Sequence, residues 1–549
     1  MAWPNRGLSH RSVAVGARGM VASAHPAATL AGLQMLQRGG NAVDAIIATA
    51  AALNVAEPYM SGIGGVGYLL SFQASDRALR VLNYNGTAPK AAFPDAFRNR
   101  REQEHGPKSP MIPAAAGGWL TALETAGRLD PATVFAPAID LAETGVPLTP
   151  KGEYFYRNSI NGGHLDGPTK AVFFPGDRVP PAGTVIRQPK LAATFRDVVA
   201  GGMDVFYRGA IADEIVRAVQ AQGGLLGADD LAEFQPFWQE TISAGYRGYR
   251  VHSAPPPCSG IQYLEALALL EPYDLAGMGQ NSPESIHLIA EAFKLAGADR
   301  IAYAPLAADC PTEDLLSPAY LDRRREEIQP DMAGSSPGER FDGRLTSGTS
   351  ITAGEVRGKH KVPESTTHFC VIDADGNAAA ITQSLGDGFG SGVMAGETGL
   401  MLNNFNFWFD SDRESPNLIG PGKTIEMCMA PAAMTHADGR LFGMIGTPGS
   451  FGIVQTTPQM IMNLLDHGFS IQAAIEAPRF RAYERTILEM EARIPKTTRD
   501  ELARKGHEIR LIDDWSFLVG GGQGVMIDPD TGARFGGADP RRDGVALGY

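Results

Sequence analysis

Two hydroxyl side chains, Thr366 and Ser384, bracket a stretch whose pattern brings them together. An apolar, β-branched run, Phe369-Cys370-Val371-Ile372-Asp373, leads into the turn Ala374-Asp375-Gly376, and a second run, Ala380-Ile381-Thr382-Gln383-Ser384, follows it. That order predicts a β-hairpin. With a three-residue loop and Gly376 in the left-handed position such loops favour, Asp373 faces Asn377 and Thr366 falls directly opposite Ser384. Opposed strand residues lie roughly 5 Å apart at the backbone, so the two hydroxyls are neighbours. A threonine at the start of a strand can attack the carbonyl before it, here that of Ser365. An N-to-O acyl shift followed by hydrolysis would cut the chain and leave Thr366 as a new N-terminus. Its freed α-amine, with a reference pKa of about 7.7 to 8.0, suits the role of general base for the same hydroxyl. Taken alone, Thr366-Thr367-His368-Phe369 also reads as the plain edge of a strand.

The elements that must position these residues follow from periodicity. Leu30, Leu33 and Leu36, then Val43, Ile46, Ile47, Ala50 and Leu53, recur at helical spacing interrupted by Gly39-Gly40, which predicts two packed helices joined at a glycine turn. Gly62-Ile63-Gly64-Gly65-Val66-Gly67 matches GxGxxG, but it follows a helix and enters the strand-like Tyr68-Leu69-Leu70-Ser71-Phe72. A dinucleotide turn needs the reverse order, so nucleotide binding is rejected. Residues 79–84 alternate like a strand, and further helices are expected over 119–129, 136–143, 191–200, 210–222, 261–270 and 285–298. Pro255-Pro256-Pro257 before Cys258-Ser259-Gly260 reads as a rigid turn opening a helix. From Asp331 to Glu364 the chain is polar and rich in Gly, Ser and Lys, a linker leading to the bond before Thr366. Gly388 to Gly392 is glycine-rich with no lysine after it, which argues against a phosphate cradle, and no GxSxG marks a Ser-His-Asp triad.

Composition narrows the function classes. The net charge of −13 opposes a nucleic-acid or anionic-membrane binder, and the longest basic cluster is Arg323-Arg324-Arg325. No apolar run approaches the 18 or so residues a membrane-spanning helix needs. The N-terminal residues carry no apolar targeting segment, so a cytoplasmic location is expected. The four cysteines, Cys258, Cys310, Cys370 and Cys428, form no close pair, so a local metal or redox motif is excluded and they read as reduced, buried thiols. Neither a metal nor an organic cofactor is implied.

Residues 366–404 resemble the start of the small subunit of the γ-glutamyltranspeptidase family, autoprocessed N-terminal-nucleophile hydrolases. The likeness extends through Gly19–Thr29, Gly39–Ala45, Tyr246–Gly260, Gly446–Ser450 and Gly536–Arg541, in order along nearly the whole chain. The resemblance implies an α/β fold, the four-layer αββα sandwich, with two mixed β-sheets face to face between helical layers. It implies two pieces, a large segment 1–365 with a linker near 331–365 and a small segment 366–549 beginning at the nucleophile Thr366. These would stay together as a heterodimer, with a dimer of such heterodimers left open. It also implies that Ser384 positions the nucleophile and that backbone N–H groups of Gly449 and Ser450 form the oxyanion hole. His368 reads better as a satisfied buried histidine than as a catalytic one, and Gly536–Arg541 as a structural closure of the sheet.

Three departures fall on the substrate side. Asn85 stands where most γ-glutamyl enzymes have an arginine for the substrate α-carboxylate, Met427-Cys428 where they have two serines, and Phe405 and Trp408 where polar and acidic residues hold the α-ammonium. Asn404 keeps the family residue beside them, while Gly386 replaces an asparagine. Phe405 and Trp408 read either as buried loop aromatics or as the wall of a pocket for an uncharged or smaller acyl group. The expected activity is therefore hydrolysis or transfer of a small or non-standard amide, oxamate-like or glutaryl-type. A conventional γ-glutamyl hydrolase acting on glutathione and a non-catalytic, unprocessed scaffold are the alternatives.

Overall fold

The computed structural model describes residues 6–334 and 365–549 apart from 411 and 484, so the expected linker lies almost wholly outside the described residues. Two seven-stranded sheets form the centre. The first runs in the order Val545–Gly548, Met20–Ser23, Ser365–Ile372, Ala378–Gly386, Val66–Gln73, Ala78–Tyr84 and Phe237–Glu240. The second runs Ala14–Gly16, Arg534–Ala538, Gln523–Ile527, Leu441–Gly446, Ala432–His436, Tyr249–Ser253 and Ile242–Tyr246. Each sheet draws strands from both sides of Thr366, so neither half of the chain could close its core alone.

The sheets pack face to face through glycines that let backbones approach. A Cβ on Gly446 would sit 2.5 Å from the His368 ring, and one on Gly536 would sit 2.5 Å from Met20 Sδ. Helices Pro26–Gln37, Ala42–Ala56 and Ala115–Ala126 cover the first sheet, and Gly260–Leu270, Ile453–Leu465 and Ile471–Glu476 cover the second. This is the αββα sandwich of the N-terminal-nucleophile hydrolases. The expectation of mixed sheets is corrected: every pairing in both central sheets is antiparallel. Sequential strands join by hairpins, and the helices cover the faces without making parallel crossovers.

The first two expected helices appear as Pro26–Gln37 and Ala42–Ala56. Gly39 between them has φ 88, a conformation costly for any residue with a Cβ, and Asn41 caps the second helix in a box with Asp44. The GxGxxG glycines are explained by proximity. A Cβ on Gly64 would lie 2.2 Å from the Met401 carbonyl oxygen, and one on Gly65 would lie 2.4 Å from that of Ser384. Glycine is required there because the turn presses against the main chain of the hairpin at Ser384 and of the downstream segment at Met401.

Candidate active site

The hairpin Ser365–Ile372 and Ala378–Gly386 forms as expected from Ile372↔Ala378 to Thr367↔Gln383, then changes register to Ser365↔Gly386. Thr366 therefore faces two residues, Ser384 and Leu385, and the expectation of a simple opposite pair is corrected to a β-bulge. A bulge turns the extra residue out of the ladder and re-aims its neighbour. Here Ser384 Oγ accepts the Gly386 N–H at 2.8 Å, lies 3.2 Å from Thr366 Oγ1, and donates to the Ser365 carbonyl oxygen. Outside partners hold the bulge: the Leu385 N–H donates to Met60 O at 3.1 Å, and the Asn404 N–H donates to Leu385 O at 3.0 Å. Thr366 is 5% exposed and Ser384 1%.

His368, two residues along the strand, is fully buried, and its ring nitrogens engage Thr382 Oγ1 at 2.8 Å and Cys370 Sγ at 3.0 Å. Burial pushes its pKa down to about 3, so it is neutral and already partnered. It packs on Gly446, the last residue of the strand that leads to Thr447-Pro448-Gly449-Ser450. In that loop Gly449 has φ 126 and Ser450 φ 55. Neither residue's N–H donates a hydrogen bond among the described residues, so both are available donors.

The loop rests on buried charge. Thr447 Oγ1 accepts the Gly521 N–H at 2.8 Å, and the adjacent Gly522 N–H donates to Asp539 Oδ2 at 2.9 Å. Asp539 pairs with Arg479 at 2.6 Å and Arg541 at 3.1 Å, and Arg541 pairs with Glu491 at 2.6 Å; all four side chains are fully buried. Burial works against the Asp539 carboxylate, but Arg541 and Arg479 outweigh it and hold its pKa at about 2. Each buried charge meets an opposite one, and the partly exposed Arg493 also reaches Glu491 at 2.9 Å, the condition under which such burial is tolerated.

A partly aromatic wall borders this loop. Phe451, next to Ser450, carries the Arg300 guanidinium 4.1 Å above its ring and the Trp408 ring at 5.0 Å. Arg300 donates to the Glu426 carboxylate, which also accepts the Ser259 hydroxyl at 2.5 Å. Glu426 immediately precedes Met427-Cys428.

Comparison with known proteins decides the family. The Gamma-glutamyltranspeptidase family profile matches residues 28–549. The chain belongs to that family. It is 36% identical over 553 residues to the acylase ACY 1 proenzyme of Pseudomonas sp. (strain SE83), covering 97% of this chain and 94% of that protein. It is 31% identical to the glutathione hydrolase proenzyme of Bacillus subtilis (strain 168), covering 98% of this chain and 93% of that one. Among solved structures, cephalosporin acylase from Bacillus halodurans superposes with a TM-score of 0.88 at 33% identity, over 100% of this chain and 98% of that one. The chain is thus an enzyme, an amide hydrolase or acyltransferase of the γ-glutamyltranspeptidase family.

Within that family frame, the residues expected to touch substrate divide. Asn85, Asn404, Phe405, Met427 and Cys428 are at most 1% exposed in the uncut chain, and only Trp408 is partly exposed. Asn404 is occupied with support: its Nδ2 donates to Glu104 O at 2.7 Å and its Oδ1 accepts the Asp387 N–H at 3.0 Å. A Cβ on Gly386 (φ 102) would lie 2.0 Å from that Oδ1, so glycine at 386 and this Asn404 rotamer require each other. Asn85 keeps a weak bond to Ile425 O at 3.4 Å, and its Oδ1 is buried without a partner among the described residues. Met427 is clamped by main chain, its N–H to Pro257 O and its carbonyl to the Ser259 N–H, both at 2.8 Å, which gives the triple-proline segment a role in holding the wall. Burial pushes the Cys428 thiol well up, so it is a neutral wall residue. The four cysteines are free, with Cys310 only half-buried.

Sequence reading missed Arg300, Glu426, Ser259 and the Arg479–Glu491–Asp539–Arg541 group. It also missed His105 and His164, stacked at 4.2 Å beside the loop after the bulge, where His164 Nε2 meets Gly388 O at 3.1 Å. Single charged residues scattered through helices and loops carry no local signal. Only Ser259, Asp539 and Arg541 lay in motifs singled out beforehand.

Proposed function

We propose that the chain cuts itself before Thr366 and that Thr366 is then the nucleophile of an amidase acting on a small or non-glutamyl acyl group. The observation that carries this is the Ser384 hydroxyl, placed between Thr366 Oγ1 and the Ser365 carbonyl oxygen. In self-cleavage, Thr366 Oγ attacks the Ser365 carbonyl carbon; its proton passes to Ser384 Oγ while the Ser384 proton moves to the developing oxyanion. Collapse breaks the Ser365–Thr366 C–N bond, protonates the amine and leaves an ester, which water hydrolyses to a Ser365 carboxylate and a free Thr366 amine. In turnover that amine takes the Oγ proton as Oγ attacks the substrate carbonyl, then gives it to the departing amine; water or an amine acceptor releases the acyl group. The Gly449 and Ser450 N–H groups are suited to hold the tetrahedral oxyanion.

For the acyl group, burial of uncharged Asn85, Met427 and Cys428 supports a ligand without the usual glutamate head-group contacts, and an oxamate-like or glutaryl-type amide fits. The likeness to proteins named acylases supports the same reading. A γ-glutamyl hydrolase acting on glutathione is the second reading. It is favoured by the Bacillus subtilis relative and by the Arg300–Glu426 pair, which offers both charges that an α-amino acid head group would need. The test is intact mass followed by a substrate pair. The wild-type chain is expected to give two fragments with a break before Thr366, and Thr366→Ala a single 58.3 kDa chain. A glutaryl anilide should exceed a γ-glutamyl anilide in kcat/KM by about tenfold, the scale that one pocket contact supplies. An uncut wild-type chain without activity would sink the nucleophile assignment, and the reverse substrate order would establish the second reading.

A further inference from the structure

Away from the nucleophile, His287 and Glu291 occupy one face of the helix Pro283–Tyr303, one turn apart. His507, between the helix Lys496–Arg504 and the strand Glu508–Ile512, meets them. One ligand atom from each of the three lies within 4.8 Å of the others, and their exposures are only 1%, 5% and 3%. His287 Nδ1 and His507 Nε2 are 2.8 Å apart, a hydrogen-bonded pair whose nitrogens need open only to about 3.3 Å to share a tetrahedral ion.

The surroundings orient these donors as a metal site requires. His287 Nε2 lies 2.7 Å from the Gln329 carbonyl oxygen, which can only accept, so that nitrogen carries the proton and the Nδ1 lone pair faces His507 and Glu291. A ligand imidazole anchored through its other N–H to a backbone carbonyl is a recurrent second layer of metal centres. With the His287 Nδ1 lone pair facing it, His507 Nε2 carries the proton that a metal ion would displace, and His507 Nδ1 is buried without a partner among the described residues.

We propose that His287, Glu291 and His507 bind one divalent transition-metal ion of the zinc class, with water completing the tetrahedron. Two imidazole nitrogens and a carboxylate suit zinc and disfavour the oxygen-seeking magnesium and calcium. Lys294 lies 2.5 Å from Glu291 Oε1 and 2.9 Å from Gly334 O, so the ion would share the carboxylate with an ammonium. That sharing places the affinity below that of a site with an unshared carboxylate. The ligands come from both sides of Thr366. Gly334, where the first described stretch ends, donates its N–H to both Glu291 oxygens at 3.2 Å, so the ion would anchor the chain at the mouth of the linker. A role in tying two fragments rests on the cleavage proposed above; binding itself does not.

The experiment is calorimetric titration of chelator-stripped protein with zinc sulfate, on the wild-type chain and on uncut Thr366→Ala, with magnesium as control. One zinc per chain is expected in both, no magnesium binding, and a thermal midpoint that rises with zinc. His507→Gln and His287→Gln should each weaken binding at least about tenfold and abolish the thermal rise. Should either fail to fold, judged by circular dichroism, Glu291→Gln supplies the same comparison. Absence of saturable one-to-one binding, or binding undiminished in every folded variant, overturns the site. Zinc bound to uncut wild-type protein would support it while removing the cleavage reading.

Discussion

The frame around Thr366 and the wall around Trp408 lie side by side and are built on different principles. In the frame, reactive groups are held by main chain: the bulge at Ser384-Leu385, the Gly386 N–H, the loop Thr447–Ser450 and the glycines beneath it. The wall is made of side chains, Asn85, Phe405, Trp408, Met427, Cys428, Arg300 and Glu426, and the first five stand where the sequence resemblance led to the expectation of other, mostly charged or polar, residues. Backbone donors survive a change of side chain; a charged recognition group does not. A fold of this kind can therefore keep its acyl-transfer chemistry while the acyl group changes.

The contrast is broken most severely from beneath the frame. Arg541→Leu leaves Asp539 and Glu491 short of a buried partner and should cost about 3–5 kcal/mol by urea unfolding, while lowering kcat on every amide alike. A substrate-selective loss would show that the network serves the wall instead. Acid attacks the same region. His368, with its folded pKa lowered to about 3 from an unfolded 6.5, contributes stability that is intact above pH 6.5 and is lost as pH falls from there toward 3. That amounts to about 2 kcal/mol over the first two units, so urea midpoints should fall between pH 6.5 and 4.5 and fall less in a folded His368→Gln variant.

Ser384→Ala should slow cleavage before Thr366 by about a hundredfold, whereas Ser384→Thr retains the hydroxyl and most of the rate, followed by gel densitometry over time. Equal rates in all three would dissociate Ser384 from the frame. On the wall, Trp408→Leu should alter the glutaryl to γ-glutamyl kcat/KM ratio by about tenfold without changing self-cleavage; an unchanged ratio would remove Trp408 from the pocket. The smallest effect is expected at Ser450. Glycine there relieves a left-handed backbone and should raise stability by about 1 kcal/mol with activity retained, since the donor is an N–H. Lost activity would mean that the Ser450 hydroxyl, buried without a partner among the described residues, takes part.

How far the sequence could be read depended on the range of each interaction. The hairpin followed from period-two alternation and one turn glycine, and the paired helices 26–37 and 42–56 from period 3.6 and the Gly39-Gly40 break. The bulge was not visible, because Ser384 and Leu385 look like two more strand residues; what bends them is Met60 and Asn404 pulling on Leu385 from distant segments. Asn404 was read as a substrate contact because of its family position, but its amide is spent on Glu104 and Asp387.

By itself, the order of residues determined the local things: which segments are strands and helices, where the turn falls, and that a threonine begins a strand beside a serine. Only the tertiary structure decided that Ser384 sits between Thr366 Oγ1 and the Ser365 carbonyl oxygen, that Arg479, Glu491, Asp539 and Arg541 meet in the interior, and that Arg300 reaches Glu426 across 126 positions of chain. The reason is physical. Backbone periodicity is set by neighbours a few residues away, whereas the pairing of a buried charge depends on which distant surface excludes its water, and that surface exists only once the two sheets have closed.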